Sequence, residues 1–188
     1  MSHILKIKLH DQNLLPLYYN HRSAYIDDAG IDLFVPKATI VPAKSIGFVI
    51  KLNISAELTD YMNNSMSYFL VSRYSMNFTS LRCKISVMDA GYRGELSMIV
   101  DNISDVDYQI QQHQRLVQIC APDLKHIIVK IVSKLSKGSR YKRGLGSYNN
   151  QNIKYCHSKF KMMDHSLDDF RDKDDLDVIL PLYLRPKL

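Results

Sequence analysis

The stretch Met88-Asp89-Ala90-Gly91-Tyr92-Arg93-Gly94-Glu95-Leu96 places one carboxylate and one aromatic ring in a short turn between two apolar segments. Residues 85–88 before it and residues 96–100 after it both have the composition of β-strands. The two glycines of the turn allow backbone conformations and close approach that other residues resist. We therefore expect a tight hairpin that holds Asp89 and Tyr92 at the rim of a sheet. Taken alone, the turn fits a surface Asp and a packed Tyr equally well.

Further short strands are predicted on both sides of this turn, with turn residues between them. They cover residues 4–9, 29–35, 39–42, 45–54, 66–71, 106–110, 116–120 and 127–132. Residues 55–64 are predicted to form a helical turn or a long loop. No segment has a long period of 3.6, and short strands at regular spacing are typical of an all-β sandwich or barrel.

The chain divides into three predicted parts. Residues 1–135 form the β domain. Residues 136–152, rich in Gly and Asn, have the composition of a flexible arm, and residues 153–188 form an extension of unknown role.

Composition narrows the class of protein. The chain has 188 residues, of which 46% are hydrophobic and 23% are charged, so it can bury a core as one ordinary domain. No apolar run is long enough for a membrane span, and the N-terminus lacks the apolar region of a signal peptide. Three cysteines without CxxC spacing, Cys83, Cys120 and Cys156, argue against a disulfide framework and a zinc site. We expect an intracellular protein, in the cytoplasm or nucleus.

The net charge of +6 is unevenly distributed. Residues 125–163 are basic and contain no acidic residue, whereas residues 164–177 contain seven Asp. The basic segment could bind phosphates, but the acidic segment can neutralise it. The segment also lacks interleaved aromatics on a stacking platform, which argues against a nucleic-acid partner.

Polar residues interrupt the apolar strands at five places. Each has a purely structural interpretation, such as a turn acid or a surface ion pair. The five places are Asp32, Arg73 with Ser75, Asp89 with Tyr92, Gln114-Arg115 with Gln118, and the segment from Arg143 to Tyr148.

Their order and spacing resemble the five motifs of the homotrimeric dUTPase family. The third motif, residues 87–96, is the most specific match, and the resemblance covers roughly residues 3–150. The other motifs are Ala29-Gly30-Ile31-Asp32-Leu33, Ser72-Arg73-Tyr74-Ser75-Met76, Gln114-Arg115-Leu116-Val117-Gln118-Ile119 and Arg143-Gly144-Leu145-Gly146-Ser147-Tyr148.

The resemblance implies a fold, an assembly and a reaction. The fold would be a jelly-roll-like all-β domain, and a homotrimer would carry three active sites at its subunit interfaces. The reaction would be Mg2+-assisted hydrolysis of dUTP to dUMP and pyrophosphate, which limits uracil in DNA and supplies dUMP for dTMP synthesis.

The resemblance also implies catalytic and metal-binding roles. Asp89 would activate the water that attacks the α-phosphorus, and Gln118 would orient that attack. Asp32 would bind Mg2+ through a water molecule, since Mg2+ retains much of its hydration shell.

The remaining positions would bind substrate. Arg73 and Ser75 would contact phosphate oxygens, and Tyr92 would pack under the deoxyribose and exclude a 2′-hydroxyl. The backbone before Asp89, including Val87, would recognise uracil. A final pair would come from the arm, with Arg143 on the γ-phosphate and Tyr148 stacked over uracil.

Three departures from the family pattern keep an alternative open. They are Tyr74 where the family usually has Ser, a shortened segment at residues 83–86, and an Asn-rich segment at residues 149–152. They are compatible with a catalytically weakened dUTPase-like protein that binds nucleotides or regulates. A related dCTP deaminase is disfavoured, because residues 89–95 follow the dUTPase form.

Overall fold

A computed structural model describes residues 2–25 and 27–138, and within them the chain forms thirteen β-strands and three short helical turns. The strands are β1 (His3–Leu9), β2 (Gly30–Phe34), β3 (Thr39–Val41), β4 (Phe48–Lys51), β5 (Ile54–Thr59), β6 (Ser65–Met66), β7 (Tyr68–Ser72), β8 (Leu81–Cys83), β9 (Ser86–Met88), β10 (Ser97–Asn102), β11 (Tyr108–Ile110), β12 (Arg115–Cys120) and β13 (Ile127–Ile131). Two 3-10 helices, Gln12–Leu14 and Tyr74–Phe78, and one α-helix, Leu15–Tyr18, complete the described secondary structure. The predicted all-β class is confirmed.

One four-stranded sheet joins the start of the chain to the end of the β-rich part. Its strand order is β13-β1-β5-β6. β1 pairs with β13 in parallel, with His3 opposite Ile127 and Ile7 opposite Ile131, whereas β1 pairs with β5 antiparallel. Side chains of β1 alternate between buried and partly buried, as expected for a sheet with one face on the core.

A second four-stranded sheet has the order β2-β12-β7-β9, and all its pairings are antiparallel. Four of the five sequence motifs therefore have residues on the strands of this sheet. β12 is central, and its register with β2 shifts between Arg115 and Val117. This irregularity is a β-bulge, a feature that bends a strand and redirects side chains.

The turn at residues 89–96 connects two different sheets. β9 pairs with β7, whereas β10 pairs with β4 and β8 in a three-stranded sheet of order β4-β10-β8. The predicted tight hairpin is therefore wrong, although both flanking strands exist. The last sheet is the pair β11-β3.

The prediction of a helical turn or loop at residues 55–64 is also wrong over its first half. β5 occupies Ile54–Thr59, and all six of its residues are buried. Its polar side chains have distant partners. Ser55 Oγ lies 2.8 Å from His10 Nε2, and Glu57 is paired with Arg93.

The polar segment between β1 and β2 packs onto the second sheet. Asp11 begins the first 3-10 helix and accepts a hydrogen bond from the backbone N–H of Asn13. Tyr18 is buried, and its hydroxyl oxygen accepts a hydrogen bond from the Phe34 N–H at 3.2 Å. This contact places residues 20–24 beside β2. Within the described residues, no helix is long and apolar enough to cross a membrane.

Candidate active site

Three predicted site residues meet on adjacent strands of the second sheet. Asp32 on β2 lies directly opposite Gln118 on β12, and Gln118 lies opposite Val71 on β7. Arg73 follows the last residue of β7, and its N–H donates to the carbonyl of Leu116 at 2.9 Å. The antiparallel register therefore brings together side chains that are up to 86 positions apart in the sequence (118 − 32 = 86).

Asp32 is clamped between two arginines. Arg73 Nε lies 2.9 Å from Asp32 Oδ1, and Arg115 Nη1 lies 3.3 Å from Asp32 Oδ2. The Asp32 side chain is 18% exposed, and both guanidinium groups are more exposed than the carboxylate. The pairs thus hold two guanidinium groups at one surface, where they remain accessible to an anion.

Gln118 lies over β2 because the opposite strand carries a glycine. A Cβ atom at Gly30 would overlap Gln118 Oε1 and press against Cys120 Sγ at 3.2 Å. An alanine at position 30 would therefore displace the Gln118 amide from its present position over β2. The glycine of the Ala29-Gly30 pair has a steric purpose that the sequence alone did not indicate.

His21 is a further residue of this site that the sequence analysis missed. Its Nε2 lies 2.8 Å from the backbone oxygen of Asp32, and its ring packs against Tyr18 and Phe34. Burial lowers the pKa of His21, while the Asp32 carbonyl and carboxylate partly oppose that effect. A neutral imidazole that donates to this carbonyl would fix the backbone of Asp32. A lone His in a polar segment carries no sequence signal for such a contact.

These residues line an open cleft of about 790 Å3. The cleft has a positive character, because three arginines face two carboxylates and the carboxylate of Asp32 is already paired twice. The charged lining residues are Arg22, Arg73, Arg115, Asp28 and Asp32. A triphosphate is the kind of ligand that such a surface attracts.

Ser75 and Tyr74 occupy the 3-10 helix that follows Arg73. Tyr74 is exposed and lines the cleft, and its ring contacts Phe78 edge-on with 5.5 Å between centroids. Ser75 is exposed at the start of the same helix but is not among the residues that line the cleft. Tyr74 thus stands where the sequence comparison expected a small phosphate-binding side chain.

Asp89 and Tyr92 lie together in their turn, away from this cleft. Asp89 is exposed, and its carbonyl accepts a hydrogen bond from the Tyr92 N–H at 2.9 Å. Tyr92 is only 6% exposed, and its hydroxyl donates to the Glu95 carbonyl at 3.0 Å. Burial, followed by the Glu95 charge, raises the pKa of Tyr92. Val87, two residues before Asp89, is exposed on β9.

The two groups of site residues stand at opposite ends of β7. Ser67 precedes β7 and accepts a hydrogen bond from the Ala90 N–H at 3.2 Å, whereas Arg73 follows the strand. Six residues of extended chain span roughly 20 Å at about 3.3 Å each. Within one chain, Asp89 and Arg73 therefore face different regions. Arg143 and Tyr148 lie outside the described residues, as do residues 139–152 of the predicted arm 136–152 and the whole predicted extension 153–188.

The donor set near the cleft fits a metal ion bound mainly by substrate and water. No group of three or more His, Cys, Asp or Glu side chains among residues 2–25 and 27–138 is arranged to hold a metal. Mg2+ at phosphate sites needs only one or two carboxylates. Asp32 accepts one contact at each oxygen, and a carboxylate has about four acceptor positions, so metal-bound water could still hydrogen-bond to it.

A family model and the sequences of known proteins indicate the same protein family. Residues 20–148 match the family model for dUTPase. A deoxyuridine 5'-triphosphate nucleotidohydrolase of Clostridium tetani is 30% identical over 148 residues, which are 78% of this chain and 97% of that protein. The nucleotidohydrolase of the same name from a Picosynechococcus strain is 28% identical over 149 residues, with 77% and 97% covered.

Solved structures show the same fold at lower identity. A dUTPase of Staphylococcus bacteriophage 80alpha with dUpNHpp superposes with a TM-score of 0.52, at 20% identity over 76% of this chain and 96% of that chain. A mutant dUTPase from phage phi11 of S. aureus, described with a structural Mg(II) ion, gives a TM-score of 0.52 at 19% identity over 73% and 99%.

Proposed function

This chain belongs to the dUTPase family, and on that premise we propose how its own residues hydrolyse dUTP to dUMP and pyrophosphate. The observation that carries the proposal is the cleft in which Arg73, Arg115 and Gln118 surround Asp32. Paired guanidinium groups beside a partly exposed carboxylate suit a magnesium triphosphate.

The cleft binds the phosphates. Arg73 and Arg115 donate to phosphate oxygens and neutralise charge. Ser75, in the 3-10 helix that follows Arg73, contacts a phosphate oxygen. Gln118 lies beside Asp32 and orients the α-phosphate. Mg2+, when bound through water to Asp32, neutralises negative charge on the triphosphate.

The Asp89 turn supplies the base and the sugar site. Asp89 accepts a proton from water as the water oxygen bonds to the α-phosphorus. The bond from the α-phosphorus to the oxygen that bridges to the β-phosphorus breaks, so pyrophosphate leaves and dUMP remains. Tyr92 packs under the deoxyribose, and backbone groups near Val87 recognise uracil. Arg143 and Tyr148 complete the site from the arm.

A homotrimer reconciles the two separated regions. Because Asp89 and Arg73 stand at opposite ends of β7, one subunit's cleft would meet another subunit's Asp89 turn. A cyclic trimer repeats this contact three times and gives three equivalent sites. We place the enzyme inside the cell, in the cytoplasm or nucleus, where dUTP and DNA synthesis occur.

The test is pyrophosphate release from dUTP, dCTP, dTTP and UTP with Mg2+, by the full chain and by Asp89→Asn. We expect dUTP alone to be turned over efficiently, and Asp89→Asn to lose about 100-fold or more of the rate. Asp105→Asn is the matched control, because Asp105 is exposed and, within the described part of the chain, is paired only with Lys44, at 3.0 Å. No dUTP turnover by the parent chain would contradict the proposal.

A further inference from the structure

A buried ion pair lies behind the Asp89 turn. Arg93 Nη2 is 2.9 Å from Glu57 Oε1, and both side chains are 2% exposed. Arg93 belongs to the turn, and Glu57 lies on β5. Burying two charges carries a large desolvation cost that the attraction between them often fails to offset, so such a pair is weak evidence for stability alone.

On one side, this pair fixes the backbone of the turn. Arg93 Nη1 donates to the Ala90 carbonyl at 2.6 Å and to its neighbour Tyr92 carbonyl at 2.8 Å. These carbonyls flank Gly91, and Ala90 directly follows Asp89. The positions of Asp89 and Tyr92 therefore depend on the Arg93 guanidinium through these backbone hydrogen bonds, which involve neither of the two side chains.

On its other side, the pair holds the chain that leads to the arm. Ser136 donates its N–H to Glu57 Oε2 at 3.1 Å and its hydroxyl to Glu57 Oε1 at 2.7 Å. Arg93 Nη2 donates to Ser136 Oγ at 2.9 Å. Ser65 joins the same network, with its Oγ 2.7 Å from Glu57 Oε1 and 2.9 Å from Arg93 Nη2.

Gly138 then lies directly against the turn. A Cβ atom at this position would overlap the carbonyl oxygen of Gly91 and lie 2.9 Å from Arg93 Cγ. Only a residue without a side chain can make this approach. Arg143 follows Gly138 by five positions in the sequence. The contact of Gly138 with the turn therefore fixes the chain only five residues before Arg143.

We propose that Arg93 and Glu57 are positioning residues that couple the root of the C-terminal arm, residues 136–138, to the Asp89 turn. Docking of the root through Ser136 and Gly138 stabilises the turn conformation that presents Asp89 and Tyr92. The same docking fixes the position of residue 138, from which the rest of the arm continues. This inference rests on the proposed function for its effect on turnover, whereas the mechanical link between root and turn is independent of any reaction.

Two variants change residues of the root and leave both Arg93 and Glu57 in the sequence. They are Ser136→Ala, which removes a hydroxyl, and Gly138→Ala, which inserts the excluded Cβ. We expect faster amide hydrogen exchange in residues 89–95 of both variants, by about tenfold, because a local contact worth about one hydrogen bond is lost. We also expect a fall of about tenfold in kcat/KM for dUTP.

The control variant is Asn102→Ala. Asn102 is the last residue of β10, at the end of that strand farthest from the turn. It is 1% exposed, and its amide donates to the carbonyls of Val41, Pro42 and Val106. The Asn102→Ala variant should lose thermal stability. Below its thermal unfolding midpoint, it should keep the parental rate of amide hydrogen exchange in residues 89–95 and the parental kcat/KM. If kcat/KM falls in all three variants in proportion to the loss in thermal unfolding midpoint alone, the coupling is overturned.

A double-variant cycle tests whether Arg93 transmits the effect. Arg93→Lys keeps the charge but cannot bridge Ala90, Glu57 and Ser136 at once. In that background, Ser136→Ala should change exchange and kcat/KM less than twofold, instead of about tenfold. Independent losses would overturn the proposal. If the parent chain turns over no dUTP, the proposed function fails, and the exchange data alone still decide the coupling.

Discussion

Arg73 Nε and Asp32 Oδ1 are 2.9 Å apart, so the guanidinium assigned to a phosphate also orients the carboxylate assigned to metal-bound water. Arg115 holds the second oxygen of the same carboxylate at 3.3 Å. Substrate that enters this cleft must therefore share the guanidinium groups with Asp32. Loss of either arginine should disturb both phosphate binding and the orientation of Asp32.

Replacing Arg73 should affect phosphates rather than base recognition. In Arg73→Gln we expect KM for dUTP to rise about 10- to 100-fold, since a charge-assisted hydrogen bond contributes about 1.5–3 kcal/mol. Inhibition by deoxyuridine, which lacks phosphate, should stay within about twofold, because no guanidinium contact to it is lost. Arg82→Gln is the matched control, because Arg82 is exposed and its guanidinium donates to the nearby carbonyls of Thr79 and Leu81. Steady-state kinetics and competition with deoxyuridine measure both effects, and equal loss for both ligands would be contrary to the assignment.

Mixed trimers should recover activity from two variants that are each nearly inactive at dUTP concentrations below the parental KM. Arg73→Ala and Asp89→Asn lie at opposite ends of β7, so each site would take these residues from different subunits. Random one-to-one assembly leaves half of the subunits intact at each position, so about one quarter of the sites should be complete. Co-expression or joint refolding followed by a dUTP assay measures this fraction. If the mixtures are no more active than the separate variants, each site takes Arg73 and Asp89 from the same subunit.

Tyr92 should control discrimination against UTP through its ring rather than its hydroxyl. Tyr92→Phe loses the hydrogen bond to the Glu95 carbonyl and should cost about 1 kcal/mol of stability. Its ratio of kcat/KM for dUTP to that for UTP should remain parental. Gly94→Ala should lower that ratio, because a Cβ there would overlap the Tyr92 hydroxyl and press on its ring. A parental ratio in Gly94→Ala would separate Tyr92 from sugar selection.

Stability should depend on Glu57 in acid. Burial alone would raise its pKa, but hydrogen bonds from Ser136 and Ser65 and the charge of Arg93 together lower the pKa to about 2, from an ordinary 4.5. Because the folded pKa is depressed, the stabilisation is complete above pH 4.5 and is lost as the pH falls towards 2. The linked change is on the order of 3 kcal/mol. Denaturant unfolding from pH 6 downwards measures it.

The comparison variant is Glu57→Gln, which cannot titrate. It should be less stable than the parent near neutral pH, by about 3–5 kcal/mol, because Arg93 remains buried without a counter-charge. The difference between the two proteins should narrow between pH 4.5 and 2, where Glu57 of the parent is protonated in the unfolded chain but still largely ionised in the folded protein. A difference independent of pH would show that Glu57 is not charged in the folded protein.

Much of the strand pattern was predictable because it follows local alternation. β1 and β2 bury every second side chain, and the sequence showed that period directly. β5 was missed even though Ile54, Ala56 and Leu58 alternate with polar residues, a period that is typical of a strand. Ser55 and Glu57 are satisfied by partners far away in the sequence, His10 and Arg93, and no local pattern reveals such partners.

The candidate site was predictable as residues but not as an arrangement. Asp32 and Gln118 were both identified, whereas their direct opposition depends on which strands pair. The paired role of Arg115 and the contact of His21 with the Asp32 carbonyl depend on tertiary packing alone. The hairpin prediction failed for the same reason, since β9 finds its partner in β7 rather than across the turn.

The parallel pairing of β1 with β13 has a mechanical consequence. Tension applied between residue 2 and residue 138 would act at opposite ends of two parallel strands, because His3 stands opposite Ile127 and Ile7 opposite Ile131. All hydrogen bonds of that ladder would then bear the load together in shear, rather than opening one after another. Force transmitted along the chain from the arm would therefore meet the stiffest direction of this sheet.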